Sequence, residues 1–163
     1  MLLMVTGIVL PVFSSAGGLG SRILVASYNI SLNAAMRAAK TAIVQCERLN
    51  YQVAVTVVDR AGEQKVVLRN DLVPDIALGI SLKKAVTAHA FARPTSMLRQ
   101  REVSKMLGGE DTLLFADGGL PIVAAGTIIG AIGVSGASSG EIDEQCAKSG
   151  IDVIAEDLEF ADP

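Results

Sequence analysis

From Ser31 onward, apolar residues fall at Leu32, Ala35, Met36, Ala39, Ile43 and Cys46, with Arg37, Lys40, Thr41 and Glu47 opposite them. Recurrence every three or four positions puts one apolar stripe on a helix. Ser31 is suited to cap its start, and the pattern stops near Asn50. The period then changes to two. Val53, Val55 and Val57 alternate with Ala54, Thr56 and Val58, a strand apolar on both faces and therefore central in its sheet. Asp59-Arg60-Ala61-Gly62-Glu63 carries turn residues, and Lys65 to Arg69 returns as the second strand of a hairpin.

A second helix is predicted from Pro74 and Asp75 to about Ala92, because Pro94 disfavours helical geometry in the residue before it. On it Leu78, Leu82, Ala85 and His89 share a stripe, and Lys83 and Lys84 fall on the far side. Thr95 to Gly109 is polar and mixed, a short helix or turn followed by a loop. Between Thr112 and Ala137 three short apolar runs are separated by glycines, the pattern of an antiparallel meander. Ser138 with Glu141 forms a capping box for a last helix through Ile142, Cys146 and Val153. Helix, hairpin, helix, meander, helix is the order of an α+β domain.

Composition narrows the partners. Of the 163 residues, 50% are hydrophobic, 19% charged and only 4% aromatic, with 16 glycines and no tryptophan. Such a core is built from Val, Ile, Leu and Ala in close contact, and a mean hydropathy of +0.46 leaves apolar surface to face a partner. The net charge of −3 and the lack of a basic stripe argue against nucleic acid. Cys46 and Cys146 lie a hundred positions apart, each within an apolar helical pattern and without metal-site spacing. Both are expected to be buried, reduced thiols.

Residues 1–30 read as an apolar arm ahead of a domain spanning 31–163. Leu2 to Phe13 is too short to span a bilayer, and no Lys or Arg precedes it. The expectation is a retained arm, packed on the domain or a neighbouring subunit, and a cytoplasmic protein. The alternative is an exported or periplasmic protein in which residues 1–16 act as a signal peptide.

Several stretches together resemble the GlcG/HbpS family, which includes the C-terminal domain of PduO. They are Val57-Val58-Asp59 before a Gly turn, Lys84-Ala85 leading to Arg93-Pro94-Thr95-Ser96, and Gly118-Gly119-Leu120-Pro121-Ile122. Ile129-Gly130-Ala131-Ile132-Gly133-Val134-Ser135-Gly136-Ala137 and the Asp143-Glu144 helix complete the set. The resemblance implies a profilin-like fold, with a five-stranded antiparallel sheet flanked by helices, and assembly into dimers or larger oligomers. It also implies a link to haem, which HbpS-like members bind and some degrade, while GlcG accompanies glycolate metabolism.

His89 is the only histidine, and an imidazole is a standard axial ligand to haem iron. The other role open to it is a packed or interfacial histidine bonded to a carbonyl. Arg93, Thr95 and Ser96 offer a guanidinium and two hydroxyls to a carboxylate or a haem propionate, or Thr95 and Ser96 simply cap the next turn. Asp59 is a candidate general base, or an Asp bonded to its own turn. Gly118 and Gly119 form a tight turn that can border a pocket. Gly126, Gly130, Gly133 and Gly136 fit no phosphate-loop spacing, and Gly130 and Gly133 are expected to admit a helix at close range. Two functions follow: a haem-binding accessory or sensor protein, or an enzyme acting on a small hydroxy or oxo acid through Arg93, Thr95, Ser96 and Asp59. A purely structural oligomer is the third possibility.

Overall fold

The computed structural model describes residues 26–161, so the apolar segment 1–16 lies outside the described residues. Ten elements follow in order. They are α1 (Leu32–Arg48), β1 (Ala54–Asp59), β2 (Gln64–Arg69), α2 (Ile76–Phe91), α3 (Thr95–Leu98), α4 (Glu102–Leu107), β3 (Gly119–Ala124), β4 (Thr127–Ser135), α5 (Gly140–Asp152) and α6 (Ala155–Glu159). The strands form one antiparallel sheet in the order β2-β1-β4-β3.

Three layers result. α1 and α5 cover one face of the sheet, and α2 covers the other. Strand alternation decides which residues go where. Val55, Val57, Ile132 and Val134 join the α1/α5 core with Ala35, Ala38, Ala39 and Ala42, whereas Val58 and Ala131 pack under Ala85 and Ala88 of α2. β1 is central, as its two-sided apolar pattern predicts, and Ser31 accepts the Ala34 N–H at 3.1 Å as the α1 cap.

The sheet has four strands among the described residues, not five. The first run of the expected meander does not pair. The Leu114 N–H instead donates to Thr87 Oγ1 at 2.8 Å, and Phe115 stacks on Phe91 with ring centroids 5.6 Å apart, so residues 112–116 lie against α2. Tertiary contacts with a helix have taken the place of a ladder.

Four local expectations are also corrected. Cys46 and Cys146 are not reduced thiols but a disulfide tying α1 to α5, with Cα atoms 5.6 Å apart. Helical periodicity reported that both are buried, yet it carried no information on their proximity across the core. The α5 cap is Ser139, one residue later than expected, because the Ser138 hydroxyl is used on Tyr51 Oη at 2.8 Å. Gly130 faces the backbone of β1, where a Cβ would lie 2.5 Å from Val58 O, while Gly133 does face a helix. Just before α1, the buried Ile30 donates its N–H to Ile129 O.

The far-side placement of Lys84 is the fourth. The inward face of α2 is Ala77, Ser81, Lys84, Ala85, Thr87 and Ala88, and Leu78 and Leu82 are only partly buried. The cause is the distance between helix and sheet. A Cβ on Gly133 would sit 2.1 Å from Ser81 O, and one on Gly119 would sit 2.3 Å from Lys84 O. At that range only small side chains, or one long side chain threaded past the glycines, fit inside.

Candidate functional site

Turning the small face of α2 inward leaves its larger apolar residues outward. Leu82, Val86 and Ala90 line a groove of about 560 Å³ with Gly79, Lys83 and His89, closed by Ala61, Gly62 and Glu63 of the β1–β2 turn and by Asp111 and Thr112. That volume lies within the range of small-molecule and cofactor sites, and the wall is mainly apolar with few polar groups.

His89 is half-buried at one end of the groove. Its Nε2 lies 2.8 Å from Arg60 O, and a carbonyl only accepts, so Nε2 carries a proton, and in the neutral imidazole the lone pair lies on Nδ1. A Cβ on Gly62 would come 3.4 Å from that Nδ1, so glycine leaves the nitrogen approachable there. Gly62 has a φ of +82°, which the turn also requires. Metal-ligating histidines commonly hold the second nitrogen on a carbonyl in this way.

Asp59 stands at the start of the same turn. Its Oδ1 accepts N–H bonds from Ala61 at 2.8 Å and Glu63 at 3.1 Å, and Asn29 reaches Oδ2 at 3.3 Å. Burial raises its pKa, but these bonds and Lys65 outweigh that and hold the carboxyl below its ordinary range. The carboxylate is thereby kept ionised and occupied by its own turn.

The helix end at Arg93 does not gather its polar residues on one spot. Ala92 caps α2 in the left-handed region at a φ of 53°, and Arg93 is exposed in a cleft of about 480 Å³ with Phe91, Leu98, Arg101, Glu102 and Val103. Thr95 is fully buried, accepting the Gly119 N–H at 2.9 Å. Ser96 donates to Glu144 Oε1 at 2.9 Å, and the other Glu144 oxygen accepts the Gly118 N–H at 3.4 Å. Gly118, with a φ of +116°, and Gly119 are in close contact with Lys84, Thr95 and Asp143, where any Cβ would collide. Thr95, Gly118 and Gly119 therefore sit in packed interior, and His89 and Arg93 open to different clefts.

Sequence reasoning passed over the ion pair at the centre of this packing. Lys84 Nζ donates to Asp143 Oδ2 at 2.7 Å and to Val134 O at 2.9 Å, with both side chains 5% exposed. Asp143 Oδ1 accepts the Ala137 N–H at 3.0 Å, so the pair joins α2, β4, the loop after it and α5. Burial pushes the Asp143 carboxyl above its ordinary range, opposed by Lys84 and by the Ala137 bond. One signal was legible: Lys84 continues the row Ala77, Ser81, Ala88 at helical spacing among small residues. Among the described residues no three His, Cys, Asp or Glu side chains are grouped to hold a metal ion, and no helix is long and apolar enough to cross a membrane.

Known proteins share this architecture. The crystal structure of HbpS superposes with a TM-score of 0.78 at 38% identity, covering 81% of this chain and 94% of HbpS. The ORFY protein of Klebsiella pneumoniae gives 0.75 at 27% identity over 82% of this chain and 95% of its own. PduOC, solved as a complex with haem, gives 0.70 at 25% over 77% and 95%. A 15.0 kDa protein of Citrobacter freundii from the dhaT-dhaS intergenic region is 29% identical over 133 residues, 78% of this chain and 93% of that protein. The family described as haem-degrading protein HbpS-like matches residues 30–152, which includes every strand, α1, α2 and the Lys84–Asp143 pair. The chain belongs to the HbpS-like family.

Proposed function

We propose that this protein binds haem or a closely related tetrapyrrole in the α2 groove and acts as an accessory or sensor protein. The observation that carries this is the bond from His89 Nε2–H to Arg60 O, which leaves Nδ1, beside Gly62, as the nitrogen that the neutral imidazole would offer to iron. Leu82, Val86 and Ala90 supply the apolar wall that a porphyrin face needs, and Lys83 is the cation on that wall for a propionate. Bound haem would supply an iron centre whose ligation and oxidation state a sensor can report. The relatives support the reading, since PduOC was solved with haem.

Apolar side chains at the entrance to α2 support assembly into a homo-oligomer, because Leu72 is 81% and Ile76 72% exposed. The Cys46–Cys146 disulfide supports an oxidising compartment, and so favours export over the cytoplasm.

The test is titration with hemin, followed by absorption, with light scattering on the same samples to read the subunit number. The expected result is a shifted Soret band that saturates at a fixed ratio and is changed in position and weakened in His89→Ala. An unshifted Soret band at stoichiometric hemin rejects the proposal. If small carboxylates then stabilise the protein, and Arg93→Ala abolishes that effect, the assignment passes to a hydroxy- or oxo-acid enzyme. The pairing of Arg93 with Arg101 in one cleft is the observation favouring that second reading.

A further inference from the structure

The helix α2 has no polar face. Its buried side takes up Ser81, Lys84 and Thr87 together with the alanines, so Lys83 and His89 are the only polar residues left on its outer side. A surface helix ordinarily turns a charged face to water, and one that is apolar all round is covered on both sides. The bare side begins with Leu72 and Ile76, 81% and 72% exposed, and continues into the groove lined by Gly79, Leu82, Val86 and Ala90. One end of this surface protrudes and the other is hollow. A surface that carries both a knob and its hole fits a second copy of itself.

The positions fix how two copies meet. Two α2 helices running antiparallel about a two-fold axis at Gly79 bring together residues equally far before and after it. Ile76 and Leu82 lie three positions from Gly79, Asp75 and Lys83 four, and Leu72 and Val86 seven. Both knobs then meet residues of the groove. Asp75, with a side chain 89% exposed, meets Lys83, which forms no ion pair among the described residues. A parallel pairing would instead set Lys83 against Lys83, a like-charge contact. The open space at Gly79, where nothing lies within 4 Å of a would-be Cβ, falls where the two helices cross.

We propose that the outer face of α2 is a two-fold interface, in which each copy of the chain seats Leu72 and Ile76 in the groove of the other and sets Asp75 opposite Lys83. The interface does not rest on the haem reading, but its consequence does. Leu82 and Val86 cannot serve a porphyrin face and a second copy at once. Hemin and self-association therefore exclude each other, and occupancy of the groove is read out as a change of assembly.

The test is light scattering and sedimentation of the full chain over a range of concentrations, without and with hemin. The unliganded mass is expected at an even multiple of 16.9 kDa, and at half that value or less in Ile76→Asp. An exposed Asp in the first turn of a helix leaves the fold intact. Lys83→Asp should weaken association about tenfold, and adding Asp75→Lys to it should restore the affinity. Gly79→Cys would be the one free thiol beside the Cys46–Cys146 disulfide. A short bismaleimide should link it to itself far more completely than Met106→Cys, which is exposed away from α2. Saturating hemin should lower the mass as Ile76→Asp does. A 16.9 kDa species at every concentration, an unaltered mass in Ile76→Asp, or equal linkage of the two cysteine variants overturns the interface. A shifted Soret band with no change of mass overturns the exclusion. An unshifted Soret band, with Ile76→Asp still dissociating, removes the haem reading and leaves the interface standing.

Discussion

Lys84 and Asp143 show how much one buried pair can depend on both partners. Each charge is stable inside only because the other is 2.7 Å away. Lys84→Met fits the same channel but leaves the Asp143 carboxylate uncompensated. The expected loss is about 3–5 kcal/mol near neutral pH, measured by urea unfolding. The pH dependence has a definite sign. Asp143 already binds its proton more tightly folded than unfolded, so its contribution to stability grows as pH falls through the raised value toward 3.8. Without Lys84 that value rises further, and the deficit of the variant shrinks as the medium is acidified. Lys84→Met combined with Asp143→Leu should recover most of the loss at every pH. A deficit independent of pH would mean that Lys84 acts through packing alone.

At the scale of elements, the distance between α2 and the sheet determines which of its faces is available to a ligand. Gly133 and Gly79 test this from the two sides of the helix. A methyl group at Gly133 would meet the backbone of α2 at Ser81 and Ala85, which no rotamer can relieve. Gly133→Ala is expected to cost about 1–3 kcal/mol or more by forcing the layers apart. Gly79 is a helical glycine with nothing within 4 Å of its would-be Cβ. Gly79→Ala is expected to stabilise by about 0.5–1 kcal/mol through helix propensity, while narrowing the groove. Thermal unfolding of the two variants should therefore move in opposite directions. Lower stability in Gly79→Ala would contradict the exposed placement of that face. Most elements were legible from period and caps: the valine alternation marked β1, Ser31 marked α1, and Pro94 ended α2. The Leu113–Ala116 run was not, because a short apolar run looks the same whether it pairs in a ladder or lies on Thr87 and Phe91.

The whole molecule is closed by the Cys46–Cys146 crosslink, which spans a sequence separation of 100 and joins the two helices on one face of the sheet. A loop of that length restricts the unfolded chain strongly, so reduction or Cys46→Ala with Cys146→Ala is expected to cost roughly 2–5 kcal/mol. Denaturant unfolding of the oxidised and reduced protein measures it. Alkylation of the oxidised protein under denaturing conditions should add no mass. Addition of two labels would show that the thiols are free, and would remove the support for an oxidising compartment.

What the amino-acid sequence determined by itself is local: the α+β class, the central β1, the helix caps within a residue, and the family, whose motifs are strings of neighbours. Periodicity and capping act over a few residues, so a single chain carries them openly. The tertiary structure alone decided the disulfide, the inward turn of Lys84, the fourth rather than fifth strand and the separation of Arg93 from Ser96. Each depends on residues far apart in the chain meeting at ångström range, where glycines at 118, 119 and 133 set how near α2 can come. The groove beside His89 exists for the same reason: the small face of that helix is inside, and its larger apolar residues remain outside.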